Sequence, residues 1–265
     1  MAVTAKDVAE LRKRTGLGMM ECKKLLTGVD GDLEKAVEEA RKMGVKTKVA
    51  SREAGEGRVA SASEGNRAVA AELKCNTDFT AKSDVAGEVL DLVTKKLLAD
   101  PGLDVANDAE IKDKLVAAGQ STGENVQITR TAVVEGSNVG NYQYSVTNKV
   151  AALIALDGGD DEVVRDLGLH LVANPTVALG ATKDDLPADM VAKERELAVE
   201  AAKATGKPAD IAEKIAEGKM QAFYKERALI DQPFINPDKF KGSIGEMLKQ
   251  KGATLVDFKR LSVGE

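Results

Sequence analysis

The first fifty residues show three short stretches in which apolar positions recur at helical spacing. These stretches span residues 6–14, 19–26 and 33–43, and turn-forming residues at 15–18 and 29–32 separate them. Asp32 suits the N-cap of the third helix. The apolar positions that can close one core are Val8, Leu11, Met19, Cys22, Leu25, Leu26, Leu33, Ala36 and Val37. The pattern therefore predicts a small three-helix module.

A basic, small-residue stretch at 46–57 predicts a linker, with a domain boundary near residue 55. Beyond it the pattern becomes β-type. Two runs flank the turn-forming trio Glu64-Gly65-Asn66 and predict an antiparallel hairpin. The rest of this half is predicted as one long helix, one short helix and one strand. The ranges are 58–62 and 67–74 for the hairpin strands, 78–99 and 109–118 for the helices, and 126–135 for the last strand.

The second half repeats the first in outline. The segment at 66–73 resembles the segment at 148–156, with an offset of 82 residues between Asn66 and Asn148. Each segment is followed by an acidic turn and a helix, which in the second half is predicted at 161–173. Two matching half-domains are the economical explanation of this repetition.

Two further helical patterns, at 190–204 and 209–229, are joined by Thr205-Gly206-Lys207-Pro208. Gly206 suits a helix C-terminus and Pro208 the first turn of the next helix, so the pair predicts an antiparallel hairpin at about 188–230. Such a hairpin can pack on its own domain or form a homodimer with a second copy, and both alternatives stay open. A helix at 243–251 and a strand at 254–260 close the chain.

Together these elements predict an α+β protein with three parts. Residues 1–54 form the three-helix module and its linker. Residues 55–139 form one antiparallel β-sheet half with its helices, and residues 140–265 form a related half that carries the helical hairpin.

Composition narrows the possible functions. The 265 residues include 38 Lys and Arg against 43 Asp and Glu, giving a net charge of −5, whereas a direct nucleic-acid binder should carry a basic excess. The two cysteines do not suggest a disulfide framework. Because the chain has neither a signal-peptide pattern nor eighteen consecutive apolar residues, it is predicted to be cytoplasmic, with no membrane partner.

The sequence offers no convincing catalytic constellation. The single histidine, His170, lies in an apolar helical run and is predicted to be a core residue rather than a metal ligand. Cys75 has only that distant imidazole as a partner for thiol chemistry. Phosphate-binding glycine loops of the Walker or dinucleotide type are absent from the sequence, and the pairs Asp160-Asp161 and Asp184-Asp185 suit helix caps. The prediction is a non-enzyme without cofactor or metal.

One aromatic residue stands out in a predicted turn. Phe79 lies in the segment Asn76-Thr77-Asp78-Phe79-Thr80, where Thr77 or Asp78 can cap a helix, while the corresponding turn at 157–161 has no aromatic residue. Phe79 could staple the turn to the helix. Alternatively it is an aromatic anchor for a partner, beside a carboxylate fixed by the helix start.

These residues also carry a family resemblance. The segment at 76–79, followed by Ala81-Lys82, and the segment Leu11-Arg12-x-Arg14-Thr15-Gly16-x-Gly18-Met19-Met20-x-Cys22-Lys23-Lys24 are both similar to signatures of the bacterial elongation factor Ts family. The likeness continues through Gly206-Lys207-Pro208, Ile211-Ala212-Glu213-Lys214 and Gln232-Pro233-Phe234. It covers roughly residues 5–264.

The resemblance implies guanine-nucleotide exchange on elongation factor Tu in its GDP-bound and nucleotide-free forms. Asp78 and Phe79 would insert beside the magnesium site of that GTPase, flanked by Thr77 and Thr80. The N-terminal module would be of the ubiquitin-associated type and the hairpin a coiled coil. On the module, Met19, Met20 and Lys23 would contact the GTPase domain, although both methionines also suit a core.

Two departures from the family pattern matter. Tyr144 stands where many relatives have a histidine in a Tyr-x-His segment, and it can still serve as a secondary contact. The chain stops at Val263-Gly264-Glu265, where longer relatives continue into a helix that contacts the partner, so we expect its affinity to rest more on the two regions above. The alternatives are an adaptor that binds another helical partner without affecting nucleotide, and a Cys75-dependent enzyme.

Overall fold

The computed structural model describes residues 3–15, 17–42, 54–204, 206 and 208–264. Its first three helices share one buried core. The end of the third predicted helix and most of the predicted linker at 46–57 lie outside the described residues, as do Gly16, Thr205 and Lys207 of the predicted turns. The helices are α1 (Ala5–Thr15), α2 (Met19–Gly28) and α3 (Leu33–Lys42).

The placement of Met19 in that core was wrong, because its side chain is 62% exposed. Leu17, from the turn before α2, is buried instead and fills the core at this end. Cys22 and Leu26, one helical turn apart, form the buried face of α2. Asp32 caps α3 as predicted, since its carboxylate accepts hydrogen bonds from the main-chain N–H groups of Glu34 and Lys35.

The first sheet has three antiparallel strands in the order β1-β2-β3. The predicted hairpin is confirmed, and Gly65 adopts a φ of 59° at its turn, a conformation that glycine tolerates without strain. The elements are β1 (Glu56–Glu64), β2 (Arg67–Cys75), α4 (Asp78–Lys82), α5 (Asp84–Ala99), α6 (Ala109–Thr122) and β3 (Gln127–Glu135).

The single helix predicted over 78–99 was wrong. Ser83 adopts an extended conformation and divides the segment into α4 and α5. Its hydroxyl donates to the main-chain oxygen of Thr80 and accepts a hydrogen bond from the N–H of Ala86. Ser83 therefore ends one helix and caps the next, a role that competes with continuous helix formation.

The second sheet repeats this arrangement with the strand order β4-β5-β6. Its last strand arrives from the far end of the chain, after the helical hairpin. The elements are β4 (Asn138–Gln143), β5 (Val150–Gly158), α7 (Asp161–Ala173), α8 (Ala188–Lys203), α9 (Ala209–Arg227), α10 (Ile244–Gln250) and β6 (Ala253–Ser262). Two short 3-10 turns cover Lys183–Asp185 and Leu229–Asp231.

The two sheets pack face to face, with helices on their outer faces. The shared core contains Ala68 and Ala70 of β2 opposite Ala151, Leu153 and Ala155 of β5. The alternate residues of each strand face the helices on the other side. The central strands are therefore buried on both faces, and the stretches 68–71 of β2 and 150–156 of β5 are continuous apolar runs.

The two halves of the structure repeat the same arrangement of strands and helices, but the predicted offset between them is wrong by one residue. Val69 and Leu73 face the helices of the first half, and Ala152 and Leu156 face those of the second. These pairs give an offset of 83 residues (152 − 69) rather than 82. A slip of one residue along a strand sends each side chain to the opposite face, so burial rather than sequence similarity fixes the register.

The helical hairpin is held by a seam of small side chains. Ala198 and Ala202 of α8 face Ala212 and Ala216 of α9, with Met220 completing the buried set. None of the described helices is both long and apolar enough to cross a membrane.

Candidate functional site

The segment of residues 76–80, called the wedge turn below, connects the end of β2 to the start of α4. Thr77 caps α4, and its hydroxyl oxygen accepts a 3.3 Å hydrogen bond from the N–H of Thr80. Thr80 and the following Ala81 are buried. The wedge turn is therefore anchored on its helical side by packing.

A carboxylate from another part of the chain holds the opposite side of the wedge turn. Oε2 of Glu124 accepts 3.0 Å hydrogen bonds from the N–H groups of Asn76 and Thr77, and Oε1 accepts a 2.6 Å hydrogen bond from the hydroxyl of Thr77. The N–H of Asn125 donates to Oδ1 of Asn76 at 2.8 Å. Sequence reasoning missed Glu124, because only the fold brings it beside a segment almost fifty residues away.

Phe79 projects from this anchored turn into solvent. Its side chain is 84% exposed, more than any other large hydrophobic side chain among the described residues. Asp78 beside it forms a 2.8 Å ion pair with Lys82, and the hydrogen bond from Lys82 lowers the pKa of the Asp78 carboxyl. The turn therefore presents an uncovered aromatic ring next to an ionised carboxylate.

A second surface lies on the N-terminal helices. Met19, Met20 and Lys23, which the family resemblance placed on one surface, line a groove of about 690 Å³ between α1 and α2. Met20 is 77% exposed. The remaining lining residues are Val3, Thr4, Ala5, Val8, Ala9 and Arg12. The groove is thus apolar with two cationic side chains in its wall.

Helix α6 contacts the elements that carry both surfaces. The side-chain amide of Gln120 on α6 donates to the main-chain oxygen of Arg14 at the end of α1. Gly123, in the left-handed conformation, ends the same helix, and Glu124 follows it directly. One helix therefore links the N-terminal helices to the residue that holds the wedge turn.

Tyr144 lies elsewhere, in the turn between β4 and β5. Its side chain is 44% exposed, and Asn148 closes the turn with a φ of 51°. The structure does not place Tyr144 in the wedge turn or in the lining of the N-terminal groove.

The residues that sequence reasoning set aside as structural have structural roles. His170 is fully buried, as predicted, and the pKa of its imidazole is lowered by burial. Burial, aided by the nearby carboxylate of Glu124, raises the pKa of the Cys75 thiol to about 11, which disfavours the thiolate needed for nucleophilic chemistry. Asp160 caps α7 through a 2.9 Å hydrogen bond from the N–H of Val163.

Comparisons of this sequence with a family model and with individual proteins all point to the same protein family. A family model described as Elongation factor TS matches residues 76–265. The elongation factor Ts of Psychrobacter sp. (strain PRwf-1) is 37% identical, covering 99% of this chain and 91% of the relative. The elongation factor Ts of Vibrio vulnificus (strain YJ016) is 40% identical, covering 100% and 93%. That of Marinobacter nauticus is 41% identical, covering 100% and 92%.

Proposed function

This chain belongs to the elongation factor Ts family of translation elongation factors, and we propose that it is the guanine-nucleotide exchange factor of elongation factor Tu. It binds the GDP-bound GTPase, dislodges magnesium, and promotes the release of GDP so that GTP can enter. The observation that carries the proposal is the exposed Phe79 on an anchored turn, beside the Asp78 carboxylate.

A phenylalanine that is 84% exposed leaves most of its apolar surface in water until a partner covers it. Buried aromatic anchors often dominate protein interfaces. The staple alternative needs Phe79 to pack against its own helix, and this exposure argues against it. Phe79 is therefore the wedge, Asp78 enters with it, and Thr77 and Thr80 hold the two in place.

Displacement of magnesium explains how a protein without bond-making chemistry of its own can accelerate nucleotide release. The ion neutralises phosphate charge, so its removal weakens the hold on GDP. At a nanomolar dissociation constant and an association rate of about 10⁶ M⁻¹s⁻¹, unassisted GDP release takes on the order of minutes. The reciprocal consequence is that magnesium and GDP weaken the binding of this protein by the same factor.

The groove between α1 and α2 supplies the second contact with the GTPase. Its apolar wall, which includes the flexible side chains of Met19 and Met20, suits an apolar ridge on a partner. Lys23 adds a positive charge to the same surface. Tyr144, in the turn between β4 and β5 and in the position of the family histidine, is a secondary contact.

The remaining features of the proposal come from the sequence pattern, the composition and the family resemblance. Residues 1–54 form a ubiquitin-associated-like module, residues 55–139 and 140–265 form the two halves of the core, and the hairpin at about 188–230 is a coiled coil. The protein acts in the cytoplasm without a cofactor, a nucleic-acid partner or a membrane partner. A homodimer through the hairpin stays an alternative to the monomer.

The test is the release rate of a fluorescent GDP from elongation factor Tu at fixed magnesium, with the parent protein, Phe79→Ala and Val256→Ala. Val256 is the control, because it is an apolar residue that is 53% exposed on β6, in the other half of the core. We expect strong acceleration by the parent and by Val256→Ala, and a large loss for Phe79→Ala. No acceleration by the folded parent would exclude exchange activity and favour the adaptor.

A further inference from the structure

The two halves of the fold begin their first outer helix in different ways, which provides an internal comparison. In the second half, the Asp160 carboxylate accepts the N–H of Val163 directly at 2.9 Å. At the equivalent position of the first half, the hydroxyl oxygen of Thr77 accepts the N–H of Thr80 at 3.3 Å. The same hydroxyl donates its hydrogen to the carboxylate of Glu124. A helix start at this point of the fold therefore does not need a carboxylate from another part of the chain.

Glu124 fixes more than the cap. By donating its only hydroxyl hydrogen to Glu124, Thr77 keeps its oxygen lone pairs free for the N–H of Thr80. The other carboxylate oxygen accepts the N–H groups of Asn76 and Thr77, which precede Asp78 and Phe79. These contacts restrict the backbone on the side of the wedge turn that packing leaves free.

The surroundings of Glu124 keep its carboxyl group ionised. Partial burial opposes ionisation, but hydrogen bonds from Thr77, Thr80 and Asn76 outweigh it and lower the pKa of this carboxyl. Hydrogen bonds to an ionised acceptor are roughly twice as strong as neutral ones. Glutamine at this position would present one amide NH₂ group toward groups that are themselves donors.

We propose that Glu124 is a positioning residue for exchange, which holds the wedge turn so that Asp78 and Phe79 enter the GTPase without first having to become ordered. The inference rests on the proposed function and adds a residue that does not itself touch the nucleotide site. Ordering the turn in advance removes an entropic cost from the step in which the wedge enters. Loss of Glu124 therefore slows GDP release more than it weakens the complex.

The test combines Glu124→Gln with Phe79→Ala in a double-mutant cycle. GDP release is followed at increasing concentrations of each variant, which separates the maximal rate from the half-saturating concentration. Glu64→Gln is the control, since this exposed glutamate ends β1 at the opposite end of the β1–β2 hairpin from the wedge turn. Amide hydrogen exchange at Asn76 and Thr77 gives a readout in the free protein, without the GTPase.

We expect Glu124→Gln to lower the maximal rate roughly tenfold, because a small misplacement of the groups that act in the rate-determining step can reduce the rate by up to about 100-fold. The half-saturating concentration of Glu124→Gln should change less than about twofold. Adding Glu124→Gln to Phe79→Ala should also change the maximal rate less than about twofold, since the effects of residues that act as a unit are not additive. Exchange at Asn76 and Thr77 should become faster. Glu124→Asp, which keeps the charge but shortens the side chain, should lose less.

Wild-type release rates in both Glu124→Gln and Glu124→Asp would overturn the inference while leaving the exchange activity intact. Full additivity with Phe79→Ala would also overturn it, because Glu124 would then act independently of the wedge. Failure of both Glu124 variants to fold would assign the carboxylate to stability instead. If the wild-type protein itself gave no acceleration, the proposed function would fail, whatever the hydrogen exchange showed.

Discussion

The side-chain amide of Gln143 donates a 3.0 Å hydrogen bond to the main-chain oxygen of Val59, so that β4 of the second sheet is bonded to β1 of the first. The same amide nitrogen donates to Oδ1 of Asn148 at 2.7 Å. The amide oxygen of Gln143 accepts the N–H and the hydroxyl of Ser61. One side chain thus joins the two half-domains and the turn that carries Tyr144.

Replacing Gln143 should therefore remove the hydrogen bonds that Val59, Ser61 and Asn148 make with its side-chain amide. We expect Gln143→Leu to lower the free energy of unfolding by about 1–3 kcal/mol, because the polar groups between the sheets lose their partner. Urea denaturation measures the change. Gln127→Leu, at an exposed position of β3, should stay within about 0.5 kcal/mol of the parent, and an equal effect of the two variants would contradict this role of Gln143.

Two helical glycines should respond to alanine in opposite directions. A Cβ atom on Gly168 of α7 would lie 2.5 Å from Cβ of Tyr142 on β4, whereas one on Gly218 of α9 would meet nothing within 4 Å. We expect Gly168→Ala to destabilise the protein by about 1–3 kcal/mol through overpacking. Gly218→Ala should stabilise it by about 0.5–1 kcal/mol through backbone entropy. Thermal unfolding of both variants checks the signs, and destabilisation by both would be inconsistent with the difference in packing.

The buried imidazole of His170 should make stability depend on pH. Nε2 lies 2.8 Å from Oε1 of Gln232, and Nδ1 accepts the N–H of Ile235, so protonation would place a hydrogen against a donor. Burial lowers the folded-state pKa below the ordinary value of about 6.5, and the unfolded chain therefore binds more protons in acid.

The contribution of the His170 imidazole to stability is thus fully present above about pH 6.5 and declines as the pH falls toward the folded-state pKa. We expect the free energy of unfolding to fall as the pH drops below about 6.5, with a slope of up to about 1.4 kcal/mol per pH unit. Urea titrations at several pH values measure it. Since His170 is the only histidine, His170→Gln should flatten the profile in this range. A slope that persists in the variant would assign it to other groups.

The groove and the wedge turn should affect different kinetic parameters. Met20 is 77% exposed and lines the groove, so Met20→Ala should weaken binding without altering the wedge. We expect a rise of roughly tenfold in the half-saturating concentration, which corresponds to about 1.4 kcal/mol, with little change in the maximal rate of GDP release. Phe79→Ala should lower the maximal rate instead. A reduced maximal rate for Met20→Ala would show that the groove takes part in the exchange step.

Most individual elements could be predicted from local patterns. The β1–β2 hairpin follows from its turn residues, and α7 was predicted at its observed bounds, because capping and periodicity are local properties of the chain. The break at Ser83 escaped prediction since a serine inside an apolar helical pattern can either face solvent or cap a new helix.

The sequence by itself determined the family, the α+β composition and the position of Phe79 in the first turn of a helix, because these depend on residue identity and short-range spacing. Tertiary structure decided which residues act together. The 83-residue register depends on which face of each strand is buried, and the exposure of Met19 depends on Leu17 filling the core. The contact of Glu124 with the wedge turn depends on how β2 and β3 pair, which brings residues almost fifty positions apart within hydrogen-bond distance.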